Sequence, residues 1–252
     1  ISSSGDLTAN AGNIGGAVTN AGDLILTGGT LSKAVSGAGL TTITGNTTNS
    51  AGINQGVKVN SGITLTNNAA LGSASGSVTN AGTINSSADN IKGTVSNTGS
   101  LNLSGGTLSK AVSGSGKTTI SGNTTNSGGI NQGVTVNSGV TLTNNAALGS
   151  DSGTITNSGT INTNASNIKG TVANNNTLNL SCGTLSKAVS GAGTTNITGA
   201  VTSNSAISQA INVVAAGDLT INANNIGGAV TNAGDLILTG GTCLLYTSPS
   251  PR

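Results

Sequence analysis

The chain has 252 residues, yet Phe, Trp, Met and His are absent, Tyr occurs once and charged residues make up 6%, so any packed interior has to come from Val, Ile, Leu and Ala. The formal charge of +2 is spread over isolated residues such as Lys33, Lys58, Lys92, Asp23 and Asp89, which leaves no basic footprint for nucleic acid or for an anionic membrane. With no His, no Glu and six scattered Asp, the usual acid and base pairs are missing, and we expect no catalytic, cofactor or metal residues.

Forty-one Gly and abundant Asn, Ser and Thr would also suit a disordered chain that cannot offset its ordering entropy. The strict placement of the aliphatic residues argues against that, because disorder needs no period. No stretch approaches the ~20 apolar residues of a membrane helix. No signal peptide is visible, and because the chain opens on Ile1 its absence says nothing about localisation.

In chain order, GTLSKAV occurs at 29–35, 106–112 and 183–189, a spacing of 77 residues, and the segments between are close copies. Each copy divides at an aliphatic opener: Leu31, Ile53, Leu71, Ile91, then Leu108, Ile130, Leu148, Ile168, then Leu185, Ile207, Ile226. The steps are 22, 18, 20 and 17 residues in the first two copies, whereas the third runs 22 and 19 and lacks one unit. A unit that drops out without disturbing its neighbours behaves as one turn of a solenoid. Leu101 and Leu103 alternate with small polar residues, the period of a half-buried strand. Asn-x-Gly, as in Asn20-Ala21-Gly22, Asn60-Ser61-Gly62 and Asn97-Thr98-Gly99, is expected to supply positive-φ bends. No 3.6-residue apolar stripe persists, so helix is disfavoured. These features predict an all-β fold, a right-handed parallel β-helix of about twelve turns at roughly 4.8 Å per turn, with residues 1–242 as one array of 77-residue repeats of four turns. Aligned Asn and Thr side chains would add hydrogen-bonded ladders.

Residues 243–252, CLLYTSPSPR, hold both prolines, the only Tyr, the only Arg and one of the two Cys. They begin where the internal copies predict Leu-Ser-Lys, and they look like the translation of a sequencing adapter, so we expect a non-native tail. Cys182 stands where the neighbouring copy has Gly105 and reads as a point variation.

Three motifs tempt a functional reading. Ala111-Val-Ser-Gly-Ser-Gly116-Lys117-Thr118 matches a relaxed phosphate-binding loop, but the copies place Leu40 and Thr194 where Lys117 stands and no helix former follows, so no nucleotide partner is expected. Lys33, Lys110 and Lys187 take equivalent positions, expected four turns or about 19 Å apart, beyond the ~8 Å screening length, and serve solubility. Thr41-Thr-Ile-Thr44 and Thr64-Leu-Thr66 are similar to the Thr arrays of ice-binding β-helices, but steps of 17 to 22 residues argue against a lattice match. The calcium-binding nonapeptide and the clustered Asp, Arg and His of pectinase-like β-helix enzymes are absent.

The texture of GTLSKAV, SGAGTTNITG, VTNAGTINS and LTNNAALGS recurring between aliphatic openers resembles passenger regions of Gram-negative autotransporters and related haemagglutinin-type adhesins, over nearly all of 1–242. That resemblance implies a parallel β-helix exported to the cell surface and anchored in the outer membrane by a C-terminal barrel outside this chain. It implies adhesion, biofilm formation or self-association between cells, with a host glycan or protein as ligand, and O-glycosylation in some members. The alternatives are a non-catalytic part of a β-helix carbohydrate-active enzyme and a segment of a phage or S-layer fibre.

Overall fold

The alternation of aliphatic and small polar residues produces short strands, and the frequent Gly and Asn keep them to between two and nine residues. The computed structural model describes residues 1–241; the expected tail at 243–252 lies outside the described residues. The fold is an all-β solenoid of parallel strands, with four single-turn 3₁₀ elements and no α-helix among the described residues. No described helix is long and apolar enough to cross a membrane.

Every turn has three sides. Face 1 begins with Asp6–Ala9 and continues through Asp23–Leu26, which pairs in register with both Asp6–Ala9 and the second half of Val35–Ile43. Face 2 begins with Gly29–Leu31 over the 3₁₀ element Ala11–Asn13, where the Ala11 N–H donates to the Gly28 carbonyl. Face 3 starts at Val18–Thr19, pairs onward through Val35 to Ile53, and passes by single bridges to Leu71 and Ile91. The stack holds about 14 turns, against the twelve expected, because register partners one turn apart, such as Leu31 and Asn49, lie closer in sequence than most of the aliphatic openers.

Register corrects one sequence expectation. Leu31 pairs with Asn49, not with Ile53, and the column continues through Asn67 and Ser86 to Leu103. Ile53 pairs with Val35, one side later. The 22-residue step is therefore a turn plus a side. Four whole turns separate Leu31 from Leu103, and Leu108, the counterpart of Leu31, lies one side further on, so a 77-residue copy spans thirteen sides rather than four full turns. Each copy consequently starts a third of a turn round from the last. The 3₁₀ elements trace this rotation: Ala11–Asn13 lies under Gly29–Leu31 on face 2, Ala88–Asn90 under Gly106–Leu108 on face 3, and Ala165–Asn167 under Gly183–Leu185 on face 1.

The clean omission in the third copy is a full turn. Ile130 reaches Ile168 through Leu148, two turns, whereas Ile207 bridges directly to Ile226. Removing three sides together keeps every later strand on the face it would have occupied.

The core is one continuous aliphatic column, with Leu24, Leu65, Ile84, Leu101, Leu103, Ile120 and Leu142 all fully buried. At ~1.5–3 kcal/mol per buried side chain, no single turn offsets its ordering cost, so the stack stabilises itself. Corners are built by buried asparagines. Asn80 donates to Asn97 Oδ1 at 2.7 Å and to the Ser100 carbonyl at 2.9 Å, and accepts from the Gly82 N–H at 3.1 Å. Asn157, its counterpart, repeats all three contacts on the next face. A buried glutamine lies against a buried threonine in each copy: Gln55 by Thr41, Gln132 by Thr118 and Gln209 by Thr195, at 2.8, 2.6 and 2.7 Å.

The Asn-x-Gly expectation holds in part. Gly62 takes φ +75°, whereas Gly22 and Gly99 do not enter the left-handed region. Their constraint is proximity: a Cβ on Gly22 would lie 2.1 Å from the Gly5 carbonyl oxygen, and one on Gly99 2.0 Å from that of Gly82.

Candidate binding surface

With the interior filled by side chains, chemistry available to a partner sits on the outward positions. Inward and outward residues alternate along each strand, and parallel register stacks the outward ones into columns at roughly 4.8 Å per turn. On face 2, Thr66, Asn85, Asn102 and Thr119 are consecutive partners. On face 3 the column runs Thr143, Asn162, Asn179, Asn196, Asn212, beside a second column of Thr141, Thr160, Thr177 and Thr194.

The outward amides bind one another. Asn102 Nδ2 donates to Asn85 Oδ1 at 2.8 Å. On face 3, Asn179 donates to Asn162 and Asn196 to Asn179, both at 2.7 Å, and Asn212 donates to Asn196 at 3.1 Å. An amide carries two N–H donors and two acceptor lone pairs, so every ladder member keeps at least one donor and one lone pair for a partner. Sequence reasoning foresaw ladders but did not single out these residues. Their signal is Asn immediately after the inward aliphatic, as in Ile84-Asn85, Leu101-Asn102, Ile161-Asn162 and Leu178-Asn179.

Beside the face 2 ladder lies a groove of about 210 Å³ that crosses successive turns, lined by Asn68, Asn85, Ser87, Asn102, Ser104 and Ser121 among others. Its walls carry amides and hydroxyls without a charge or an aromatic ring. A wider hollow of about 370 Å³ lies where residues Ser3, Ser4 and Asp6 meet Asp23 and Leu40.

The unequal steps do not break these columns. Differences in turn length are taken up at the corners, so Thr64 still faces Thr83, and Thr141, Thr160, Thr177 and Thr194 stay aligned. Unequal opener spacing is thus compatible with aligned threonine columns. What limits the array is rotation, which moves the pattern to the next face with each copy.

The same rotation separates the lysines. Lys33 follows face 2, Lys110 follows face 3 and Lys187 follows face 1, so they occupy three corners instead of one line. Lys187 Nζ donates to Asp151 Oδ1. That hydrogen bond, and then the lysine's charge, hold the Asp151 carboxyl below the usual carboxylate range. The first copy has Ala74 where Asp151 stands and cannot form the pair.

The phosphate-loop match lies in the strand Val112–Ile120, where Val112 N–H donates to the Gly129 carbonyl and Lys117 N–H to the Gly99 carbonyl. Those N–H groups are engaged in the stack. Cys182 is exposed and accepts from Asn164 Nδ2 at 3.0 Å. Among the described residues no three His, Cys, Asp or Glu side chains converge.

No protein-family model, no curated protein and no solved structure matches the chain.

Proposed function

We infer that the chain is a structural and adhesive rod segment of an autotransporter-like surface protein, carrying contacts along its length rather than a reaction at one point. The observation that carries this reading is the repetition of one neutral, hydrogen-bonding surface, the outward Asn and Thr columns, over many turns of a rod whose interior is solid. Distributed weak contacts of this kind gain strength through number, since each further contact is made at a high effective concentration. A reacting centre instead needs unlike groups brought together at one place. In this reading the rod stands outside a Gram-negative cell and is anchored through a barrel beyond this chain.

The test is display. Residues 1–241 are fused between an export signal and an outer-membrane barrel in a Gram-negative host. Protease should shave the segment from intact cells, and displaying cells should settle or attach faster than cells carrying the barrel alone. Retention inside the cell, or unchanged settling and attachment despite surface exposure, would overturn the reading.

A further inference from the structure

We propose that the outward asparagine ladder and the groove beside it form a track for an extended, neutral, linear polysaccharide lying along the rod axis, about one sugar per turn. This rests on the adhesive reading and specifies its ligand.

Each turn offers the same kind of chemistry at the same spacing: at least one amide donor, at least one amide lone pair and a corner hydroxyl or amide. On the first track these are Asn85 with Ser87 and Asn102 with Ser104, one turn apart. A ligand that satisfies such a track repeats along the axis and brings both hydroxyl donors and acceptors in every unit. An extended β-1,4-linked chain advances slightly more per sugar than the ~4.8 Å rise of the stack and turns alternate sugars over, so registry holds over the few turns of one track, with ring hydroxyls of either edge meeting the amides.

The other partner classes fit less well. Protein interfaces concentrate affinity in aromatic and Arg anchors seated in pockets, and this groove has neither. An added strand needs an open sheet edge, whereas these residues lie on the flat of a face. Single-stranded nucleic acid needs a positive channel and aromatic platforms. Because neighbouring amides hold one another at 2.7 to 2.8 Å, the track is ordered before any ligand arrives, which reduces the entropic cost of binding.

The second copy keeps this chemistry at every counterpart: Asn145 for Asn68, Asn162 for Asn85, Asn164 for Ser87, Asn179 for Asn102, Ser181 for Ser104 and Thr198 for Ser121. That track lies one face further round, because a copy is thirteen sides long. One rod therefore presents two tracks in different directions and cross-links polysaccharide chains.

The experiment uses the whole chain, with sedimentation on microcrystalline cellulose and on chitin, dextran as the branched, non-extended control, and soluble xylan to report cross-linking as turbidity. The expected result is retention on cellulose or chitin, none on dextran, and xylan turbidity. The variant N85A/N102A/N162A/N179A should bind at least tenfold more weakly with an unchanged strand signal in circular dichroism. If it does not fold, the Asn→Val set at the same four positions replaces it, since Val is β-branched like the Thr66 and Thr143 native to these columns and carries no hydrogen-bonding group. N85A/N102A alone should keep binding and lose the turbidity. Absence of binding to cellulose, chitin and xylan, or equal binding by a folded fourfold variant, overturns the proposal. Displaying cells that attach while the purified chain binds none of the three would overturn this inference and leave the adhesive reading standing.

Discussion

Residues 29–105 and 106–182 carry nearly the same sequence and make the same sides, yet they place them on different faces. Leu103 pairs with Ile120 on face 2, while its counterpart Leu180 pairs with Ile197 on face 3. Both are fully buried. The comparison shows that the unit of specification is the side, about six residues long, and that the three faces are interchangeable. A copy of thirteen sides can be inserted because each side needs only the ones a turn above and a turn below.

The largest effects should come from the core. Leu103→Ala and Leu180→Ala should each cost about 2–5 kcal/mol, with closely similar values in chemical denaturation; a difference of several kcal/mol would break the equivalence of the faces. Next come the corner amides. Asn80→Ala and Asn157→Ala each strand the same buried partners, and each should cost about 1–3 kcal/mol, again as a matched pair.

Glycine separates the copies more finely. Gly99 is replaced by Asn176 in the second copy, and the adjoining contact relaxes, from 2.8 Å for Ser100 N–H to the Gly82 carbonyl to 3.2 Å for Thr177 N–H to that of Gly159. Gly99→Asn should therefore cost less in thermal melting than the 2.0 Å approach of its Cβ to the Gly82 carbonyl oxygen alone implies. Gly114→Asn should cost about 1–3 kcal/mol, because Gly114 has φ +122° and a Cβ there would lie 2.2 Å from the Asn97 carbonyl oxygen. A reversed order would contradict the account of these corners.

The smallest effect concerns Asp151. Its carboxyl is depressed by Lys187, so the contribution is present above the unfolded value near 3.9 and is lost as pH falls through the folded value. Asp151→Ala should abolish that acid-limb component of a melting profile and leave the profile unchanged in high salt.

Much of this was legible in the residues. Alternation around Leu101 and Leu103 located strands, and the shortened third copy located a removable turn. The rotation was not legible, because Leu31 and Ile53 are both aliphatic openers and nothing local says that Asn49, a polar residue, takes the inward place above Leu31. Buried asparagine looks like a turn residue in sequence and is a core residue here, since its amide satisfies the corner's N–H and carbonyl groups. The outward asparagines were hidden for the opposite reason: Asn102 and Asn97 are the same residue type, and only the side of the strand tells them apart.

The third-turn rotation rests on Leu31 stacking on Asn49 instead of Ile53, and a disulfide test reads it directly. In a Cys182→Ser, Cys243→Ser background, the pair T30C/T48C should close under mild oxidation, because these residues are register partners at a strand spacing within disulfide reach. The pair S32C/N54C should stay reduced. Closure of S32C/N54C with T30C/T48C left open would mean that the 22-residue step is a turn after all, and that the copies stack without rotating.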